Sequence, residues 1–238
     1  MFWIYFAVGA GFAALVYIGI IWRRVAASIT ASKPLIAQAT RYEQHPHSAS
    51  MHMLVAGDSL AVGVGATDNH FSLAGRIGRD YPQAAITNIA KSGSKFADLE
   101  AQLAPQTRAH YDLIFITIGA NDITGRTPYA DVEASLRRML SQTDILGSKT
   151  ILLTAGDVGL SPAFLWPLST YFGARTRAVR KIFMSEIAQH AQAHYVDLFR
   201  KKKDEIFNTN IPRYYAADRF HPSADGYAVW YALLKPLL

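Results

Sequence analysis

Hydrophobic and polar positions divide the chain into three unlike stretches. Residues 2–22, FWIYFAVGAGFAALVYIGIIW, are uncharged throughout. At ~1.5 Å rise per residue, a helix of this length spans roughly 30 Å, the thickness of a bilayer core. Residues 25–50 contain Ser, Thr, Pro34 and Pro46, lack a strand pattern and read as a linker. From Met51 onward, short apolar runs alternate with longer amphipathic ones. Strands are expected at 51–56, 85–90, 113–118, 150–155 and 194–196, and helices at 69–80, 95–103, 129–146, 172–192 and 224–234. Apolar strands without alternation, separated by helices, argue for a parallel sheet covered on both faces. The expected organisation is an anchor over 1–24, a linker over 25–50 and one α/β domain over 51–238. In such sheets, functional residues gather at the carboxyl ends of the strands.

The flanks of the apolar run decide how it is read. Trp3 and Trp22 stand at its two ends, where aromatic rings favour the membrane interface. A signal peptide wants positive charge before a shorter apolar run. Here Arg23, Arg24, Lys33 and Arg41 follow the run, and only the α-amino group precedes it. A retained single-pass anchor is the expectation. The positive-inside rule then favours a cytoplasmic body, although large domains can translocate regardless of flanking charge. Gly9 and Ala13 form a small-xxx-small pair, a weak signal in a Gly/Ala-rich span.

Composition narrows the function classes. Half of the 238 residues are hydrophobic and 18% are charged, which excludes a disordered chain. The formal net charge of +6 comes from 24 Lys+Arg against 18 Asp+Glu. Those charges are mostly scattered, so no nucleic-acid face is expected. The run Arg200-Lys201-Lys202-Lys203 reads as a solvated loop or helix end, with a contact to anionic head groups as the other reading. The chain has no cysteine, which excludes disulfides, thiolate catalysis and Cys-ligated metals. His45, His47 and His52 lie close together, but no further ligand stands at a recognisable metal spacing. The sequence leaves the oligomeric state undetermined.

Chemistry concentrates at the predicted strand ends. The first strand runs into Gly57-Asp58-Ser59-Leu60, the second into Lys91-Ser92-Gly93, and the third into Gly119-Ala120-Asn121-Asp122. Asp218-Arg219-Phe220-His221-Pro222 stands near the C-terminus. A serine hydroxyl needs a neighbouring base to become a nucleophile at neutral pH. His221 suits that task, and Asp218, three residues earlier, is close enough to orient its ring. Acyl transfer also needs donors for the developing oxyanion. The N–H groups of Ser59 and Gly93 and the side-chain amide of Asn121 are the candidates. Each motif alone has a bland reading as a turn or helix cap; all four in this order, each after the right element, do not.

GDSL around Ser59, Gly93, GAND around Asn121 and DxxHP around His221 together resemble the SGNH (GDSL) hydrolase family over about 54–238. The resemblance implies a flavodoxin-like α/β/α sandwich. It also implies that Ser59, Gly93, Asn121 and His221 are the four name-giving residues, with Asp218 completing a triad. It implies an esterase, lipase, lysophospholipase, thioesterase or carbohydrate acetylesterase that uses no metal or organic cofactor.

Competing motifs fail. No G-x-S-x-G elbow is present. Gly63-Val64-Gly65 begins like a dinucleotide fingerprint, but Asp68 stands where its last glycine should be. His70, His110, His190 and His194 lack triad context. The expected activity is cleavage of carboxylic esters or thioesters through an acyl-serine intermediate. An acyltransferase of the same fold, or a non-catalytic membrane-tethered module, are the alternatives.

Overall fold

The computed structural model describes residues 2–106 and 110–238. Five strands form one sheet: β1 (Met51–Gly57), β2 (Ala84–Asn88), β3 (Leu113–Thr117), β4 (Thr150–Leu153) and β5 (Ala193–Val196). All pair in parallel, in the order β2-β1-β3-β4-β5, which is the flavodoxin-like doubly wound order. Side-chain alternation splits the core in two. Met53 and Val55 of β1 face one layer with Leu73, Ile77, Tyr227 and Trp230. Leu54 and Ala56 face the other with Phe96, Leu99, Leu136 and Phe183. Both faces of β1 are buried, which is why its apolar run shows no period of two.

The helices follow in chain order. They are α1 (Phe2–Gln38), α2 (Ser59–Val62), α3 (Leu73–Asp80), α4 (Phe96–Leu103), α5 (Ala120–Thr124), α6 (Tyr129–Leu146), α7 (Leu168–Ile187), α8 (Ile211–Tyr214) and α9 (Ala224–Leu234). The helix expected at 69–80 is in two pieces. Asp68 caps a 3-10 turn over Asn69–Phe71, and Ser72 then caps α3 through Gly75 N–H. The helix expected at 172–192 begins earlier, after Pro167, and ends at Ile187. The short α2 and α5 were not legible as periodic segments, because one turn is too brief to show a period.

The largest departure is at the N-terminus. The stretch read as a linker is helical as far as Gln38, continuous with the apolar run. Pro34, counted among the linker residues, lies inside this helix; its missing N–H costs one bond to the carbonyl of Thr30. Contacts with the body offset that loss. Tyr17 donates to the carbonyl of Trp166 (2.9 Å) and Arg24 to that of Pro162 (2.7 Å). Beyond the helix, Gln44 exchanges backbone bonds with Ile86 on the β2 edge (3.1 and 2.8 Å). Among the described residues, one helix, within α1, is long and apolar enough to cross a membrane, and its apolar run is almost wholly exposed.

β1 lies between β2 and β3, so the turns after these three strands share one rim. At that rim Gly57 adopts φ +132°, and a Cβ there would stand 1.9 Å from the carbonyl oxygen of Thr117. Only glycine lets β1 approach β3 this closely just before the chain turns into Ser59.

Candidate active site

Ser59 is the first residue of α2, and the Asp58 side chain caps that helix, its Oδ1 accepting from Leu60 N–H at 2.9 Å. Gly63, at φ +93°, ends α2 after one turn. The first N–H groups of a helix have no intrahelical partner, so the Ser59 N–H is left without one in α2. Asn88, at the end of β2, fixes the turn from below by donating to the carbonyl of Ala61 (3.1 Å).

His221 arrives on a separate loop. Ala216 N–H donates to His221 O (2.9 Å), and Arg219 takes the left-handed conformation at φ +59° to close the turn. Asp218 Oδ1 accepts from the N–H groups of Phe220 and His221, both at 3.0 Å. Its Oδ2 lies 2.5 Å from His221 Nδ1, and His221 Nε2 lies 2.9 Å from Ser59 Oγ. A carboxylate only accepts, so the ring proton sits on Nδ1 and Nε2 is free to accept the serine hydrogen. The Asp218 side chain is fully buried and that of His221 is 6% exposed. Burial pushes the Asp218 carboxyl up, but the hydrogen bond and charge of His221 and two backbone N–H groups outweigh it, leaving it below its ordinary value. It therefore stays ionised beside the imidazole.

Gly93 and Asn121 occupy the turns on either side of Ser59. Gly93 has φ +87°, and apart from its own chain neighbours nothing lies within 4 Å of where its Cβ would be, so the turn faces open space. Asn121 sits in the first turn of α5 and donates one amide hydrogen to Ser94 O (2.9 Å), leaving the other N–H unspent there. That bond ties the turn after β3 to the turn after β2.

Several supporting residues were not legible in the sequence. Gln102 donates to the Gly57 carbonyl and accepts from the Gly57 N–H (both 3.0 Å), and also donates to Ser94 Oγ (2.9 Å). It locks the end of β1 to the Gly93 turn, yet in sequence it is one glutamine in an amphipathic helix. Gly65, dismissed with the failed dinucleotide motif, has a packing role: a Cβ there would meet the Pro222 carbonyl at 2.3 Å and His221 Cβ at 3.1 Å. Its lack of a side chain lets the histidine loop lie against the serine turn.

A cavity of about 50 Å³ adjoins Ser59 and His221. Leu60, Val158, Phe207, Phe220 and Trp230 supply much of its wall, with the carboxyls of Asp157 and Glu205 beside them. Burial pushes both carboxyls up, though each accepts a backbone N–H that caps a 3-10 turn. Among the described residues, no group of three His, Asp or Glu side chains is placed to hold a metal ion.

Asp58 is a second buried carboxyl at the site. Burial pushes it from 3.8 up to about 7, with the Asp122 charge adding to the rise and the Leu60 N–H opposing it. Its Oδ2 finds no partner among the described residues. Between pH 4 and 7 the folded chain therefore holds a proton that the unfolded chain has lost. This group's contribution to stability is complete below about pH 4, declines as pH rises to 7 and is flat above. Asp58→Asn keeps the acceptor for Leu60 N–H and removes the titration. We expect the variant to gain on wild type by a few kcal/mol across that window, read as the difference in urea midpoints at pH 4, 5.5, 7 and 8. A constant difference would mean that Asp58 is ionised throughout.

A serine, an imidazole and a buried carboxylate stand in hydrogen-bonded series at the carboxyl ends of a parallel sheet. A family model described as GDSL-like lipase/acylhydrolase matches residues 55–229. The chain belongs to the GDSL-like lipase/acylhydrolase family and has the makings of an ester-hydrolysing enzyme. Among solved structures, it is similar to an extracellular lipase from Streptomyces rimosus (17% identity, 79% of this chain and 100% of that one, TM-score 0.59). It is also similar to an acetylxylan esterase from Geobacillus stearothermophilus, compared as a catalytic mutant (22%, 79% and 94%, 0.54). A third is a carbohydrate esterase family 2 enzyme with a carbohydrate-binding domain from Corynascus thermopiles (16%, 81% and 67%, 0.57). At these identities the likeness speaks for the fold. No curated protein sequence matches the chain.

Proposed function

We propose that this chain is a membrane-anchored serine esterase that works through an acyl-serine intermediate on esters of short acyl groups. The observation that carries the reading is His221 bridging Ser59 at 2.9 Å and Asp218 at 2.5 Å. In the first half-reaction, His221 Nε2 takes the Ser59 proton as Oγ bonds to the acyl carbon. The oxyanion is held by the N–H groups of Ser59 and Gly93 and the second amide N–H of Asn121. Collapse breaks the ester C–O bond, and the imidazolium gives its proton to the departing alkoxide. In the second half, water gives a proton to Nε2 and attacks the acyl-enzyme, and collapse returns the Ser59 hydroxyl.

The small cavity beside Ser59 supports the short-acyl preference. At about 50 Å³ it is far smaller than the several hundred Å³ of a typical small-molecule pocket. The names of the neighbouring folds, a lipase and an acetylxylan esterase, bracket this choice.

The membrane reading rests on α1. Its exposed apolar run ends at Trp22, and Ser32 stands ten residues further, about 15 Å along the axis. The exposed ring of Trp166, whose carbonyl accepts from Tyr17, suits an interfacial position on the same side. Arg23 and Arg24 at the end of the run favour a cytoplasmic body.

The test uses the full chain in detergent micelles with p-nitrophenyl esters from acetate to palmitate, and with a fluorophosphonate. The expected results are fastest turnover on the shortest chains and a phosphonyl adduct mapped by mass to Ser59. Fastest turnover on palmitate would overturn the short-acyl assignment. No adduct at Ser59 would overturn the mechanism.

A further inference from the structure

The triad carboxylate has a partner that lies far away in sequence. Asp218 Oδ1 accepts from two backbone N–H groups of its own loop, and Oδ2 accepts from His221. Oδ2 accepts a second bond, from Ser32 Oγ of α1, at 2.9 Å. One turn earlier on α1, Ser28 Oγ donates to the Asp218 main-chain carbonyl at 2.7 Å. Residues four apart share a helix face, so these two serines grip the backbone and the side chain of one residue together. Arg24, a further turn back, extends the same line of contact to Pro162.

Ser32 also lies 2.9 Å from the carbonyl of Ser28, the usual resting place of a serine hydroxyl within a helix. A hydroxyl has one hydrogen to give. The ionised carboxylate, buried with its side chain fully shielded from solvent, is the stronger acceptor of the two. A buried carboxylate oxygen is also the atom that suffers most if left short of donors.

We infer that Ser32 is a positioning residue of this site, holding Asp218 in the orientation that His221 needs, so that α1 backs the carboxylate of the triad. This rests on the proposed serine-esterase reading. Ser32 touches neither substrate nor reacting atoms. It acts by filling the last acceptor position of Oδ2, which leaves the carboxylate one orientation in which all four of its bonds are made. The helix proposed to place the enzyme at a membrane also supports its triad, and a body cut free of α1 would lack two of the hydrogen bonds to Asp218.

The test is made on the full chain in detergent micelles. Ser32→Ala and Ser32→Thr are compared with wild type for kcat and KM on p-nitrophenyl acetate, for Tm, and for the downfield proton resonance of the His221 Nδ1–H. Ser32→Ala is expected to lower kcat about tenfold, in line with the loss of one hydrogen bond to a charged group. KM should be unchanged and the downfield resonance should move, while Ser32→Thr, which keeps the hydroxyl, restores both kcat and the resonance. A Ser32→Ala enzyme with wild-type kcat overturns the inference. So does a fall in kcat that accompanies a fall in Tm with the resonance unmoved, which would mark a purely structural serine. A wild type that turns over no ester overturns the proposed reaction instead. In that case the resonance still reads the Ser32 bond, and its constancy in Ser32→Ala would overturn the inference separately.

Discussion

Replacing His221 by alanine should lower kcat by ~10⁶-fold, and adding Ser59→Ala to it should cost almost nothing more. The reasoning comes from how the two side chains are joined. Ser59 Oγ has its proton drawn off only through Nε2, 2.9 Å away. Without the imidazole, the hydroxyl is an ordinary alcohol with negligible nucleophilicity at neutral pH. Without the hydroxyl, the imidazole has no acyl acceptor to activate. Either loss disables the same step, so the two effects do not add. A residual rate above that of water, roughly 10³–10⁴-fold, is expected in both single variants and in the double, from the oxyanion donors and substrate binding. The measurement is kcat on p-nitrophenyl acetate for the two single variants and the double, with KM and Tm as controls. A double variant markedly slower than either single one would mean that Ser59 and His221 act in separate steps. A His221→Ala enzyme within tenfold of wild type would remove His221 from the chemistry.

The parts of this site that the sequence revealed share a physical trait: each lies where a period breaks. Ser59, Gly93 and Asn121 follow apolar runs that end in glycine-bearing turns, and His221 and Asp218 stand in a short loop before a helix. The parallel sheet was legible for a similar reason, because strands buried on both faces read as continuous apolar runs. What was not legible depends on side chains that meet across long separations. Gln102 looks like any polar residue of an amphipathic helix until the fold sets its amide against Gly57. Ser28 and Ser32 fall in a segment rich in Ala, Ser and Thr and interrupted by Pro34, which local rules read as a linker. Helix propensity there is adequate, and packing against the Asp218 loop decides the outcome. Asp157 and Glu205 became visible as parts of the site only once β4 and the loop after β5 placed them beside one cavity.

Asp218→Asn is expected to lower kcat by ~10⁴-fold while leaving KM and the fold nearly untouched. The loop itself dictates which way the new amide must face. Oδ1 accepts from Phe220 and His221 N–H groups, so an amide nitrogen on that side would break two bonds and set donors against donors. The asparagine oxygen therefore stays with the backbone, and its nitrogen takes the place of Oδ2 opposite His221 Nδ1. An amide nitrogen donates, so Nδ1 must become the acceptor and the ring proton moves to Nε2. Nε2–H then points at Ser59 Oγ and can no longer take its proton. The Ser32 hydroxyl is meanwhile free to return to the Ser28 carbonyl, 2.9 Å away, so the helix contact adapts without loss of fold. Steady-state kinetics on p-nitrophenyl acetate, with Tm as the control for folding, check the expectation. A fall of less than about tenfold would show that the imidazole keeps its working tautomer without the carboxylate, and that Asp218 serves only to hold the loop.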